Sequence, residues 1–264
     1  MATYLDEIVA AHRAAAAADA RPIEALLDRA RVQPSGRHFE DALRVAAATA
    51  TGYPAVIAEV KRRSPSQGPL APDLDPAALA QAYEAGGATC LSVLTDRDFF
   101  GAQPDDLIEA RGACSLPILR KDFTLGPADV CDAVLMGADA VLLIAAVLDD
   151  AELADLHGLA HELRVDPLVE VHDEAEAERA LAVGATLIGV NQRDLVTFEV
   201  DTARAERMSS VLPDHVVRVA ESGIASPDDA RRLGRAGYHA VLVGETLVRS
   251  VDPVATLRNL RGEP

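Results

Sequence analysis

The chain has 264 residues and a formal net charge of −17, and although 49% of it is apolar, only 3% is aromatic and Trp is absent. Such a length lies at the upper edge of what one hydrophobic core supports, so a single domain over 1–264, with an interior built from Ala, Val, Leu and Ile, is expected. The acidic balance, with no block of five basic residues, argues against nucleic acid or an anionic membrane as partner, while leaving open a small anion drawn into a cleft by a local cluster of Lys, Arg and backbone N–H groups.

In chain order, residues 1–50 read as a helical extension and 54–264 as a repeating unit. Leu5, Ile8, Val9 and His12 share one helical face, and Ile23, Leu26, Leu27 and Ala30 repeat the pattern after Pro22. A loop at Gln33-Pro34-Ser35-Gly36 leads to a third short helix predicted from about His38. Short apolar runs without alternation then recur at 55–60, 88–94, 117–120, 139–145, 166–171, 186–190, 216–220 and 239–243, the pattern of parallel strands buried on both faces. Between them lie helical stretches: Pro76 to Ala85, Asp105 to Arg111, Pro127 to Met136, Asp150 to Leu163, Glu174 to Val183, Thr202 to Val211 and Pro227 to Ala236, with a last one after Pro253. Glycines at 86, 137, 184 and 237 close several of them. Eight such units predict a (β/α)8 TIM barrel, whose functional groups gather at the carboxyl ends of the strands. An open doubly wound sheet would call for fewer strands or a glycine fingerprint after the first.

A barrel interior is aliphatic, so charged or amide residues at the last positions of its strands demand an explanation. The first strand ends in Glu59 and Lys61, which period-2 alternation sends to one side; the third ends in Lys121, the fifth in Glu170, the sixth in Asn191 and the seventh in Glu221. Two lysines and three glutamates would converge on one cleft. Leaving any of them without its partner costs about 3–5 kcal/mol, which makes a purely structural set of salt bridges a poor explanation for all five. Ser222-Gly223 after the seventh strand and Gly244-Glu245 after the eighth place glycines where a backbone can approach a phosphate. The stretch Arg62 to Pro69, with Ser64, Pro65 and Ser66, is basic and proline-stiffened, as a substrate-covering loop would be.

The remaining candidates carry less. Cys90, Cys114 and Cys131 form no C-x-x-C pair and are expected to be reduced, half-buried and structural. His157 and His161, spaced i, i+4, are expected to be exposed helix positions, and with no ligand cluster foreseen at the mouth the reading is metal-free. No apolar run reaches membrane-spanning or signal-peptide length, so a cytoplasmic protein is expected.

The segments Ala58-Glu59-Val60-Lys61-Arg62-Arg63-Ser64-Pro65-Ser66, Ile118-Leu119-Arg120-Lys121-Asp122-Phe123, Pro167-Leu168-Val169-Glu170-Val171, Gly189-Val190-Asn191-Gln192-Arg193-Asp194-Leu195 and Ala220-Glu221-Ser222-Gly223-Ile224, with Phe99-Phe100, resemble indole-3-glycerol-phosphate synthases over essentially the whole chain. The resemblance implies ring closure of 1-(2-carboxyphenylamino)-1-deoxyribulose 5-phosphate with loss of carbon dioxide and water, without a cofactor. It implies Lys121 as general acid, Glu170 as the group that takes or returns protons, Lys61 opposite the substrate carboxylate, Glu59 and Asn191 on the hydroxyls, and Glu221 completing the polar ring. By the same resemblance Phe100, Phe123, Leu142 and Leu195 would wall the aromatic ring, with Arg193 and Ser222 also at the substrate and Gly223, Gly244 and Glu245 at the phosphate. Two departures stand out: Gln67 where many members carry Lys, and Glu245 where some relatives carry a hydroxyl residue, so that its carboxylate has to turn away from the phosphate.

A Schiff-base aldolase using Lys121 or Lys61, another phosphosugar barrel enzyme, and a non-catalytic phosphosugar-binding scaffold remain alternatives at this level. An aldolase lysine has to lose its proton, whereas flanking carboxylates favour the charged form. A monomer or weak homo-oligomer is expected.

Overall fold

The computed structural model describes residues 3–49, 52–65, 67–103 and 105–263. Helices α1 (Tyr4–Ala18), α2 (Ile23–Arg31) and α3 (Phe39–Thr49) precede the first barrel strand, β1 (Ala55–Val60). A two-stranded hairpin, β2 (Arg63–Ser64) and β3 (Gly68–Pro69), follows it. The remaining strands are β4 (Cys90–Leu94), β5 (Ile118–Lys121), β6 (Ala140–Ile144), β7 (Asp166–Val171), β8 (Leu187–Asn191), β9 (Val217–Glu221) and β10 (Ala240–Val243). Parallel pairing in the order β1-β10-β9-β8-β7-β6-β5-β4, with β1 also bonded to β4, closes the sheet into a barrel, as the repeating pattern predicts.

The outer helices are α4 (Pro76–Ala85), α5 (Arg97–Phe100), α6 (Asp106–Ala113), α7 (Pro127–Met136), α8 (Asp150–Glu162), α9 (Glu174–Ala182), α10 (Arg204–Met208), α11 (Pro227–Arg235), α12 (Glu245–Val248) and α13 (Pro253–Leu260). Their starts follow from side-chain chemistry. Asp75, Asp149, Asp173, Ser226 and Asp252 accept from amides of the first turn, and Pro occupies the first position of α4, α7, α11 and α13, where no N–H is needed. At the end of α7, Gly137 takes the left-handed conformation that a side chain disfavours and turns the chain into β6.

The extension runs from the mouth of the barrel to its floor. His12 and Arg13 of α1 reach the mouth, α2 packs on α7, and α3 lies against β1, β4 and β9 with Phe39 and Leu43 fully buried. Buried Asp139, at the start of β6, fixes this floor: its carboxylate accepts from the amides of Arg37 at 2.6 Å and Ile118 at 2.8 Å and pairs with Arg111. The Glu40 amide donates to Asp166 at 2.9 Å. The extension is therefore joined to the strands by buried charge-assisted bonds as well as by apolar contact.

Four details differ from the sequence reading. The helix expected over Thr202 to Val211 spans only Arg204–Met208: a bridge between Arg193 and Val200 holds the incoming chain extended, and Ser209 Oγ donates back to the Glu206 carbonyl as the helix ends. The Arg62–Pro69 stretch contains the β2–β3 hairpin, and Arg62 is drawn onto Asp106 at 2.7 and 2.9 Å. His157 is buried, because it shares the inward stripe of α8 with Leu153, Leu156 and Ala160; burial pushes its imidazole towards the neutral form, and only His161 is exposed. The three cysteines are free and buried throughout, packed in the aliphatic core.

Phe39→Ala should remove about 3–5 kcal/mol of stability, since a fully enclosed ring at the floor cannot be replaced by collapse of the rigid barrel. Urea denaturation followed by circular dichroism measures this. A loss below about 1 kcal/mol would show that α3 does not secure the floor.

Candidate active site

Strand β5 places two adjacent cations on opposite faces. Arg120 points outward, donating to Thr95 Oγ1, the Asp129 carbonyl and Asp122, whereas Lys121 points into the barrel. There its Nζ lies 3.0 Å from Glu170 Oε2 and 2.8 Å from Glu221 Oε2. The two glutamates come from β7 and β9, separated by β8, and what lets them share one lysine is Gly189. This residue is paired with Glu170 in the sheet, and a Cβ on it would run into the Glu221 carboxylate. β1 contributes Glu59, and Lys61 follows directly on its end; the two pair at 2.5 Å. Gly244 opposes that pair, where a Cβ would overlap the Glu59 carboxylate and press on Lys61 Nζ.

Charge balance sets the protonation states. Burial works against the Lys121 ammonium, but Glu170, Glu221 and Glu59 outweigh it and hold the proton well above the ordinary lysine range. Burial likewise works against the Glu170 charge, and Lys121 and His172 overcome it, keeping this carboxylate ionised below its usual value. One ammonium cannot neutralise two carboxylates. Burial, together with repulsion from Glu170 and Glu59, therefore pushes Glu221 up to about 7 in spite of Lys121. Its Oε1 is buried without a hydrogen-bond partner among the described residues.

These groups face a cavity of about 740 Å³ at the carboxyl end of the strands. Glu59, Lys61, Lys121, Glu170, Asn191 and Glu221 line it, as do Ser64, Pro65, Phe100, Phe123, Leu142, Arg193, Leu195, Ser222, Gly223, Gly244 and Glu245. Ser66, the remaining expected residue, lies outside the described residues. One wall is apolar, with Phe100, Phe123, Leu142 and Leu195 joined by Leu94, Ile144 and Phe198. At the other end Ser222 and Gly223 both adopt left-handed backbone, at φ 66° and 74°. That conformation costs a serine on the order of 1 kcal/mol, and Ser222 is held in it by bonds from its Oγ to Asn191 Oδ1 at 2.9 Å and from Gln192 Nε2 to its carbonyl at 2.7 Å. Glu245 turns to Arg249, 3.3 Å away, so its carboxylate is engaged by a cation at the cavity edge.

The chain matches the family model described as indole-3-glycerol phosphate synthase over residues 5–260. It is 46% identical over 265 residues to the indole-3-glycerol phosphate synthase of Polaromonas naphthalenivorans (strain CJ2), covering all of both chains. It is also 46% identical, over 99% of both, to that of Polaromonas sp. (strain JS666 / ATCC BAA-500). The chain belongs to the indole-3-glycerol phosphate synthase family. The activity that goes with membership is indole-3-glycerol phosphate synthesis, a carboxy-lyase reaction of tryptophan biosynthesis. Among solved structures it is similar to 3-hexulose-6-phosphate synthase, with a TM-score of 0.60 at 15% identity over 79% of this chain and 98% of that one. Thiamine phosphate pyrophosphorylase from Pyrococcus furiosus gives 0.57 at 16% identity over 80% and 95%. Those likenesses reflect the barrel alone.

Several groups around this synthase site were not foreseen. Asp96, Asp122, Val200, Thr202, Thr246 and Arg249 also line the cavity. His12, read as part of an apolar helical face, comes from α1 to within 2.7 Å of Asp96 and stacks near Phe99 and Phe123. Together with Asp122 it forms a cluster of three potential metal ligands where the sequence suggested none. Their oxygens are already committed: Asp96 also caps α5 through the Phe99 amide, and Asp122 accepts from Thr95 at 2.5 Å, Arg120 at 2.8 Å and the Phe123 amide. The cluster thus ties α1 to the loops that carry Phe100 and Phe123. Local signals existed for Asp122, adjoining Lys121 in the Lys-Asp-Phe motif, for Asp96, at the end of Ser92-Val93-Leu94-Thr95-Asp96, and for Thr246, next to Gly244-Glu245.

A carboxyl resonance from Glu221 should titrate near pH 7 in carbon-13 NMR of glutamate-labelled protein and vanish in Glu221→Gln. If all the buried glutamates are already ionised at pH 5, the charge balance described for the site is wrong.

Proposed function

We propose that Lys121 protonates the ketone oxygen of 1-(2-carboxyphenylamino)-1-deoxyribulose 5-phosphate while the aromatic carbon bearing the carboxylate attacks the ketone carbon. The observation that carries this reading is the position of Lys121 Nζ between Glu170 and Glu221. A lysine so flanked keeps its proton until the developing alkoxide takes it, which suits a general acid and opposes the neutral amine that Schiff-base chemistry requires. Carbon dioxide then leaves, returning its bonding electrons to the ring system. Dehydration removes the new hydroxyl as water and a proton from the adjacent carbon, and ionised Glu170 accepts that proton.

In this reading Lys61 faces the substrate carboxylate, while Glu59 and Asn191 orient the sugar hydroxyls and the departing water. Glu221, half-protonated near neutrality, completes the ring around Lys121. Phe100, Phe123, Leu142 and Leu195 hold the aromatic ring away from water. Arg193 and Ser222 border the sugar chain, with Ser64 and Pro65 over it. Backbone amides at Gly223, Gly244 and the start of α12 receive the phosphate, since the first amides of a helix have no partner within it. With Gln67 in place of a cation, the loop contributes no charge from that position. In this reading the protein is a cytoplasmic enzyme of small molecules, monomeric or weakly self-associating; among the described residues no helix is long and apolar enough to cross a membrane.

Lys121→Ala and Glu170→Gln should each lower kcat by about 10²- to 10⁴-fold while the thermal transition stays cooperative. Indole fluorescence during turnover of the carboxyphenylamino substrate measures the effect. Near wild-type rates in either variant would remove that residue from the mechanism, and a borohydride-trapped adduct on Lys121 would replace general acid catalysis by Schiff-base chemistry.

A further inference from the structure

The substrate brings a phosphate dianion to a protein of net charge −17, so the phosphate end of the cavity has to supply positive charge locally. Among the described residues four cationic side chains line the cavity: Lys61, Lys121, Arg193 and Arg249. Three of them are held by groups of the interior. Lys61 pairs with Glu59, Lys121 lies between Glu170 and Glu221, and Arg193 donates to the Phe198 carbonyl of its own loop at 3.0 Å. Arg249 differs. Among the described residues its guanidinium makes a single ion pair, from Nε to Glu245 Oε1 at 3.3 Å, and no hydrogen bond. The side chains of Arg249 and Glu245 are 50% and 39% exposed, so water screens the pair and little holds it closed.

The position of Arg249 is set by α12. Its amide donates to the Glu245 carbonyl at 3.1 Å, which places it one turn beyond the residue that begins the helix. Side chains on a helix lean back towards its start, and the four residues of α12 rise only roughly 6 Å, so an arginine at the end reaches the first turn. Its pairing with Glu245 shows this reach. That turn is where Gly244 borders the cavity, and Thr246 beside it donates from Oγ1 to the Ile224 carbonyl at 2.9 Å, fastening α12 to the loop of Ser222 and Gly223. The guanidinium is thereby carried on the same unit as the two glycine turns. Glu245 sets a carboxylate at the same edge, and without a cation beside it this charge would repel a phosphate.

We propose that Arg249 is a substrate-binding residue that exchanges partners: between turnovers it neutralises Glu245, and as substrate arrives its guanidinium leaves Glu245 for the phosphate. The planar fork of N–H donors matches two phosphate oxygens, whereas Glu245 offers one oxygen at 3.3 Å. The exchange therefore gains charge-assisted hydrogen bonds that the resting pair lacks. The released carboxylate, already partly exposed, turns to water at little cost. Arg249 thus selects for the phosphate itself, and a ligand without that group leaves it on Glu245. The exchange rests on the phosphate placement given above.

The test is kcat and KM for the wild type, Arg249→Ala, Arg249→Lys and Glu245→Gln, together with the Ki of the same carboxyphenylamino compound lacking its phosphate. Arg249→Ala should raise KM by about 10- to 100-fold and leave kcat within about threefold. Arg249→Lys, which keeps the charge without the fork, should recover only part of that loss. Glu245→Gln should lower KM by about two- to fivefold, because it removes the competing carboxylate. A structural salt bridge would instead suffer in the same direction from either substitution. The Ki of the phosphate-free compound should move by less than about twofold in Arg249→Ala, since that ligand never engages the guanidinium. A wild-type KM in Arg249→Ala, an equal rise in the phosphate-free Ki, or a KM that does not fall in Glu245→Gln overturns the proposal. If Arg249→Ala does not fold, the Glu245→Gln result decides alone. A wild-type enzyme that binds the two compounds equally well would sink the phosphate placement itself, whereas a strong preference that survives Arg249→Ala would remove only the role of Arg249.

Discussion

A lysine ammonium fixed between two carboxylates at the mouth of an aliphatic barrel, where water scarcely reaches, is the constraint around which the rest of this structure is arranged. Each of the three ions, left alone, would cost several kcal/mol to bury. They are tolerated because three separate strands deliver them to one point, and because a barrel closed on all sides cannot splay to let them reach solvent. The excess negative charge is relieved at Glu221, whose carboxyl is pushed up to about 7 by burial and by its acidic neighbours.

The other features of the mouth follow from that arrangement. Gly189 and Gly244 are small because carboxylates occupy the space their side chains would need. Arg120 and Arg62 point away from the cavity, each bound to an aspartate of its own, so cationic charge inside is confined to a few groups of defined position. The apolar wall is steadied from outside, since His12 of α1 holds Asp96, which in turn caps the helix carrying Phe100. The N-terminal extension thus bears on the geometry of the mouth as well as on the stability of the floor.

Much of this was legible in the chain. Largely apolar runs without alternation marked all eight barrel strands, because strands buried on both faces leave no alternation to follow. Pro at the first helical position fixed the starts of α4, α7 and α11 to the residue. The inward lysines and glutamates could be named because a charge at the end of a buried strand has one plausible destination, the mouth. What escaped depended on distant partners or on competing local bonds. His12 sits among apolar residues on its helix, and only the fold brings Asp96, 84 positions away, beside it. Arg62 read as part of a basic loop because Asp106 lies on another element. His157 and His172 were open to inference: the 3.6 period puts the first on the inward face of its helix, and the period of two puts the second on the side of Glu170.

The central claim concerns where the substrate ketone meets the protein, and the direct test is a crystal structure with the alcohol obtained by reducing that ketone. This compound keeps the ring, carboxylate and phosphate but cannot react. The account predicts its new hydroxyl within hydrogen-bond reach of Lys121 Nζ, the ring against Phe123 and Leu142, and the phosphate at the amides of Gly223 and Gly244. A hydroxyl facing Lys61 instead, with Lys121 still locked between Glu170 and Glu221 and out of reach, would contradict it.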